Sequence, residues 1–191
     1  NRYLQENNKP MVSTEVIGDS GIGKTSSIVQ LANELGLNFV KLNLAQIEEI
    51  GDLVGFPIRQ FEMKEGKKSE WVDENSVEDY RKKGFESTGL NRMSYCPPEW
   101  ISGKTNGGIL LLDDWNRADM RFIQAVMELI DRQQYISWKL PKDWHIILTA
   151  NPDNGDYLVN SIDNAQKTRF ISVNLKFDIN CWSEWAEDAT I

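Results

Sequence analysis

Gly18-Asp19-Ser20-Gly21-Ile22-Gly23-Lys24-Thr25 has the spacing G-x-x-x-x-G-K-T, the Walker A pattern. A glycine-rich turn lets successive backbone N–H groups converge on an anion, and the helix that begins there adds its positive dipole end. Asp19, Ser20, Gly21, Ile22, Gly23, Lys24, Thr25 and Ser26 are therefore expected to wrap the phosphates of ATP. Lys24 would set an ammonium on the β- and γ-phosphates, and the Thr25 hydroxyl would take one position on Mg²⁺. The flanks agree. Residues 12–17 are β-prone, and Ile28, Leu31, Ala32 and Leu35 recur with a helical period across residues 24–35.

The chain of 191 residues is long enough for one domain with a real core. Hydrophobic residues make up 40% and charged residues 26%, ordinary values for a globular protein. No apolar run approaches the roughly 18 residues of a membrane span. No signal peptide is visible, and the chain opens at Asn1 rather than Met. Two cysteines, Cys96 and Cys181, lie far apart without CxxC spacing, which points to a reduced, cytoplasmic setting with both thiols structural. The net charge of −8 argues against a broad electrostatic footprint on nucleic acid, though it leaves room for a local basic patch. His145 is the single histidine, so a histidine-based metal site is not expected.

Alternating strand and helix signals predict an α/β fold, a parallel sheet with helices on both faces. Residues 1–8 read as a short polar helix or lead-in. Residues 38–42 are a second strand, and residues 45–53 a helix. Residues 55–103 form an insert rich in charge and loop residues. Within it, runs at 58–63 and 69–73 flank Lys64-Glu65-Gly66-Lys67-Lys68, a hairpin signal. Residues 76–83 are a helical candidate, and Cys96-Pro97-Pro98-Glu99-Trp100 is a turn leading to another. So long an excursion is usually functional, the alternative being a solvated surface loop. Regular structure returns with a fully apolar strand at 109–112 and a helix at 118–130. A second hairpin at 135–140, with Pro141-Lys142-Asp143, runs into a strand at 145–150. A helix at 160–167, a last strand at 171–175 and a helix from Trp182 complete the pattern.

Asp113 and Asp114 follow Ile109-Leu110-Leu111-Leu112 directly, a Walker B pattern. Asp113 would hold Mg²⁺, and Asp114 would orient or deprotonate the attacking water. Alone, the pair also suits a turn that ends a strand; beside a Walker A loop, both halves of one Mg-nucleotide site are present.

Leu112-Asp113-Asp114-Trp115-Asn116-Arg117-Ala118 resembles the LDExNRA signature of MoxR-type and dynein-related AAA+ ATPases. That clade carries one hairpin in its second core helix and another before its sensor 1 strand, where the signals around Gly66 and Pro141 fall. Gly51-Asp52-Leu53-Val54-Gly55 likewise resembles the family's (D)LLG element. The resemblance implies a P-loop NTPase core with two β-hairpin inserts over residues 1–177, the insert region being 55–103. Residues 178–191 would then start a helical lid that is largely missing, along with its sensor 2 arginine.

Further roles follow from the same resemblance. Ile147-Leu148-Thr149-Ala150-Asn151-Pro152 is similar to the sensor 1 segment, which puts Asn151 near the γ-phosphate and the attacking water, although an Asn-Pro turn also fits. Arg169, in Thr168-Arg169-Phe170, matches the position of the arginine finger that reaches a neighbouring subunit's ATP; an ordinary surface arginine is the alternative. Asn43 matches a polar residue that in some relatives restrains the Walker B acid, and strand-end asparagines are also common turn residues. Asn116 reads as an N-cap with Asp119 beside the same helix start, and Arg117 as facing either solvent or a subunit interface. Asp114 stands where the family usually has Glu, a shorter reach to which near-attack geometry is sensitive.

The expected activity is ATP hydrolysis with Mg²⁺ in a self-associated ring, commonly a hexamer, acting on a protein client. An ATP-binding switch or scaffold with weak hydrolysis is the first alternative. A nucleic-acid motor using Lys64, Lys67, Lys68, Arg81, Lys82 and Lys83 is the second, disfavoured by the acidic balance.

Overall fold

A computed structural model describes residues 11–188; the lead-in expected over residues 1–8 lies outside them. The central sheet has five parallel strands: β1 (Ser13–Ile17), β2 (Asn38–Asn43), β6 (Gly108–Asp113), β9 (Trp144–Ala150) and β10 (Phe170–Asn174). Their order is β10-β1-β9-β6-β2. The inner strand β6, between β9 and β2, is buried at every position, because helices cover both of its faces. On one face α1 (Lys24–Glu34) sets Ile28 and Ala32 against Ile109, Leu111 and Ile147. On the other, α4 (Met120–Arg132) packs Phe122, Val126 and Ile130 in one core with Leu110, Leu112, Ile146 and Leu148. This is the expected α/β architecture. The periodicity over α1 overstated its apolar face: Leu31 and Leu35 are exposed.

Between β2 and β6 the chain leaves the sheet. The helix expected over residues 45–53 is reduced to α2 (Ile50–Val54). Asn43 Oδ1 accepts from the Ala45 N–H at 3.2 Å, a local turn that bends the chain before a helix can start. The insert is more regular than its composition implies. β3 (Phe56–Glu65) pairs antiparallel with β4 (Lys68–Asp73), the expected hairpin, and also with β5 (Glu86–Cys96). β5 was not anticipated, because its largely exposed residues show no alternation. Short helix α3 (Val77–Lys82) closes a small separate core of Met63, Val72 and Phe85, with Val77 and Tyr80 against it. After Pro98 the expected helix is only a turn, in which Ile101 and Ser102 donate to the Pro98 carbonyl.

The second hairpin is β7 (Gln134–Tyr135) with β8 (Trp138–Lys139), so its turn falls at Ile136-Ser137 rather than around Pro141. Trp138 fixes that register: its buried ring donates from Nε1 to the Val54 carbonyl at 2.8 Å. The helix expected over 160–167 survives only as α5 (Asn164–Lys167), capped by Asp163 and Gln166. Asn160 is drawn away to bond Asn116 and Ala118 carbonyls. Helix α6 (Ile179–Asp188) follows β10. Cys96 and Cys181 are both exposed, which corrects the expectation of packed structural thiols. No helix among the described residues is long and apolar enough to cross a membrane.

Gly55 joins α2 to the insert at φ 83° and ψ −178°, a region open essentially to glycine, and an added Cβ would lie 1.9 Å from the Cys96 carbonyl oxygen. Gly55→Ala should therefore lower stability by more than the roughly 1–3 kcal/mol of backbone strain alone. Gly66→Ala, at a hairpin tip with nothing within 4 Å of the new Cβ, should cost only about 1 kcal/mol. Urea unfolding of the two variants beside the parent measures the difference; equal losses would show that the Gly55 junction is not tightly held.

Candidate nucleotide site

The site grows from the carboxyl-terminal edge of the parallel sheet. β1, β6 and β9 end side by side: Ile17 is in register with Ala150, Leu112 with Leu148, and the Gly18 N–H donates to the Ala150 carbonyl. The Walker A loop, the acidic pair and Asn151 therefore emerge together, at the edge where open α/β sheets bind ligands. Gly23 enters α1 with φ 92°, a left-handed turn that leaves the loop wrapped ahead of the helix N-terminus. Asp19, Ser20 and Ser26 are exposed around it.

Lys24 is 8% exposed and points into this edge. Its Nζ donates to the carbonyls of Gly18 and Asp19 at 2.7 and 2.8 Å and to Asn151 Oδ1 at 3.2 Å. Burial pulls its pKa below the usual lysine value, against the opposing pull of Asp114, Asp113 and Asp19. The other end of the Asn151 amide donates to Asp114 Oδ1 at 3.1 Å. Asn151 thus bridges the loop lysine and the second acid.

Asp113 is buried and strongly held. Its Oδ1 accepts from the Thr25 hydroxyl at 2.8 Å and from the Thr149 hydroxyl at 2.5 Å. Lys41 Nζ lies 2.8 Å from Oδ2. Burial pushes the Asp113 carboxyl up, but the bonds from Lys41, Thr149 and Thr25 outweigh it and hold its pKa below the usual value. Thr25 and Asp113 offer adjacent hard oxygen donors of the kind that suit Mg²⁺. Among the described residues no group of three or more His, Cys, Asp or Glu could hold a metal alone, so a cation here would need phosphate or water oxygens as well.

Asp114 sits in the left-handed region at φ 52° and ψ 36°, its N–H donating to Thr149 Oγ1 at 3.0 Å. Asp adopts that conformation more readily than longer side chains do, a physical reason for the shorter acid.

Several roles read from the sequence need correction or addition. Asn116 is not the N-cap of α4; Asp119 is, accepting from the Arg121 N–H. Asn116 is instead buried, donating from Nδ2 to the Asn151 carbonyl at 2.8 Å and accepting from the Asn151 N–H at 3.3 Å. Asn43 stands in register with Asp113, but its side-chain oxygen serves the Ala45 turn. Lys41 and Thr149 were missed: Lys41 belongs to no motif, and Thr149 lies inside the sensor 1 segment without a role of its own there, so their bonds to Asp113 appear only in the folded sheet. Tyr157 was missed too, and its hydroxyl accepts from the Ser20 N–H at 3.2 Å.

Arg169 does not join this cluster. Phe170 pairs with Ser13, at the opposite end of β1 from the loop, which separates the two by about 16 Å at 3.3 Å per residue. There Arg169 lies 3.4 Å from Asp131 and donates to the Ala165 carbonyl.

Residues 15–170 match the AAA domain of the dynein-related subfamily. The chain belongs to that family. Among solved structures, this AAA domain resembles a candidate ATPase of Cytophaga hutchinsonii with a TM-score of 0.59 at 18% identity, over 94% of this chain and 46% of that one. It also resembles the Thermotoga maritima RuvB Holliday junction branch migration motor, with a TM-score of 0.53 at 14% identity, over 100% of this chain and 48% of that one. At such identities the likeness is one of fold, and the AAA domain spans about half the length of these structures. No curated protein matches it in sequence.

Asn116→Ala would leave the buried N–H and C=O of Asn151 without partners, at about 1–3 kcal/mol for each group. Arg117→Ala, at the exposed neighbouring position, should stay within about 0.5 kcal/mol of the parent. Denaturant unfolding of both variants checks this, and an Asn116→Ala protein as stable as the parent would mean that the bridge carries no weight.

Proposed function

We propose that this AAA domain is the core of a MoxR-like ATPase that binds Mg-ATP and hydrolyses it in a ring, commonly a hexamer, to remodel a protein client. In this reading residues 1–177 are the nucleotide-binding core, residues 55–103 its insert, and residues 178–191 the start of the lid. The observation that carries the reading is the chain of bonds from Lys24 through Asn151 to Asp114, set beside the Thr25–Asp113 pair.

The residues from Asp19 to Ser26 hold the phosphates, with the Lys24 ammonium as the main countercharge. Thr25 and Asp113 hold Mg²⁺, which supplies charge neutralisation on the phosphate oxygens. Asp114 takes or orients the proton of the attacking water, and Asn151 keeps Asp114 aligned with Lys24. Arg169 serves a neighbouring subunit: its place at the far end of β1 keeps it from its own chain's nucleotide and leaves it for another copy's. Such a guanidinium stabilises charge spread over the transferring phosphoryl group.

A weakly hydrolysing switch is the second reading, favoured by the short acid Asp114. A nucleic-acid motor, as the Thermotoga maritima RuvB branch migration motor is, finds less support here. The basic residues of the insert are partly neutralised by Lys68–Glu70, Arg81–Glu78 and Lys82–Asp79 pairs.

Lys24→Ala should keep the fold and lose most ATP affinity by calorimetry; unchanged affinity would overturn the nucleotide site. Asp114→Asn should bind ATP yet turn over on the order of 10²–10⁴-fold more slowly. A parent with no turnover even when assembled would favour the switch. Arg169→Ala should bind ATP and fail to hydrolyse it, and mixing it with Lys24→Ala in the assembled protein should recover part of the activity. Full activity of Arg169→Ala at every protein concentration would remove the finger from the mechanism.

A further inference from the structure

Asp113 has an ion-pair partner that no motif supplies. Lys24, the expected cation of the site, directs its Nζ to Gly18, Asp19 and Asn151. The ammonium on Asp113 is that of Lys41, 2.8 Å from Oδ2. Register explains the meeting. Lys41 pairs with Leu111 and Asn43 with Asp113, so Lys41 and Asp113 share the α1 face of the sheet, two residues apart along the strands. Lys41 stands on the edge strand β2, and its side chain is 41% exposed, with open solvent available to it. It nevertheless reaches toward a carboxylate that is 9% exposed. The two oxygens of Asp113 are thereby divided: Oδ1 serves the two threonine hydroxyls and Oδ2 serves Lys41.

We propose that Lys41 is a positioning residue that competes with Mg²⁺ for Asp113 and so sets how much magnesium the site requires. The inference rests on the Mg-nucleotide reading of this edge. A buried carboxylate stripped of its cation is strongly destabilising, whereas either of two cations can satisfy it. Lys41 fills that need when the metal does not, and its long, half-exposed stem lets it withdraw to solvent when the metal does. Divalent ions that bind carboxylate more tightly than Mg²⁺ displace it at lower concentration.

Thermal unfolding without nucleotide tests this. Lys41→Met keeps the length of the stem and removes the charge. In EDTA it should melt below the parent. Added Mg²⁺ should raise its melting temperature more than the parent's, with the half-effect at about fivefold lower concentration. Lys41→Arg should follow the parent. Adding Asp113→Asn to Lys41→Met should abolish the magnesium response. Lys41→Gln, uncharged but still a hydrogen-bond donor, gives the same readout if Lys41→Met does not fold. A magnesium response equal in parent and uncharged variants, or one that survives Asp113→Asn, overturns the proposal. Calorimetry of the parent with Mg-ATP separates the two layers: absent binding would refute the nucleotide reading, while the melting curves still report on Lys41.

Discussion

A single buried carboxylate ties the molecule together. Asp113 closes β6, and through it β2 contributes Lys41, α1 contributes Thr25 and β9 contributes Thr149. Each of these elements is brought to that edge by apolar packing, but packing alone tolerates small slides. A charge that must be matched within hydrogen-bond distance does not. The register of β2 on β6 and the depth at which α1 sits against the sheet are therefore fixed where chemistry would need them fixed.

Beside that anchor runs a second polar seam. Asn116 clasps the backbone of Asn151 on both sides, and Asn151 in turn spans Lys24 and Asp114. The segment after the acidic pair and the end of β9 thus move as one piece. A change at Asp114 would be felt by the loop lysine through a single side chain. Arg169, at the other end of β1, is excluded from this piece and held by Asp131. One chain therefore carries the glycine loop and the acidic pair at one edge of the sheet and Arg169 at the opposite edge.

Much of this was legible in the sequence wherever a local pattern carried the signal. The glycine loop, the apolar run of β6 and the acids behind it set the fold and most of the site, because strand, turn and helix there each depend on adjacent residues. What escaped depended on partners far along the chain. β5 shows no alternation because its residues face mostly solvent, and it is held by β3 rather than by its own pattern. The second hairpin turns early because Trp138 is anchored to Val54, which no turn rule contains. Lys41, Thr149 and the true role of Asn116 became visible only with the register. Asn43, placed correctly in the strand, uses its side chain for a local turn.

β2 and β6 are neighbours in the sheet yet are separated in sequence by the whole insert. Pairing them means closing a long loop before the contact yields any return, the kind of step that slows folding. The insert shortens that search. β3 and β4 form a local hairpin, and β5 returns along β3 until Cys96 lies opposite Phe56. Once this three-stranded sheet, with β3 at its centre, has zipped, the chain entering the insert and the chain leaving it are adjacent. Trp100 then fastens the exit to the entry by donating to the Asp52 carbonyl. The excursion is built as a clasp: with its own strands paired, its two ends lie side by side, and β6 would meet β2 across a much shorter free chain.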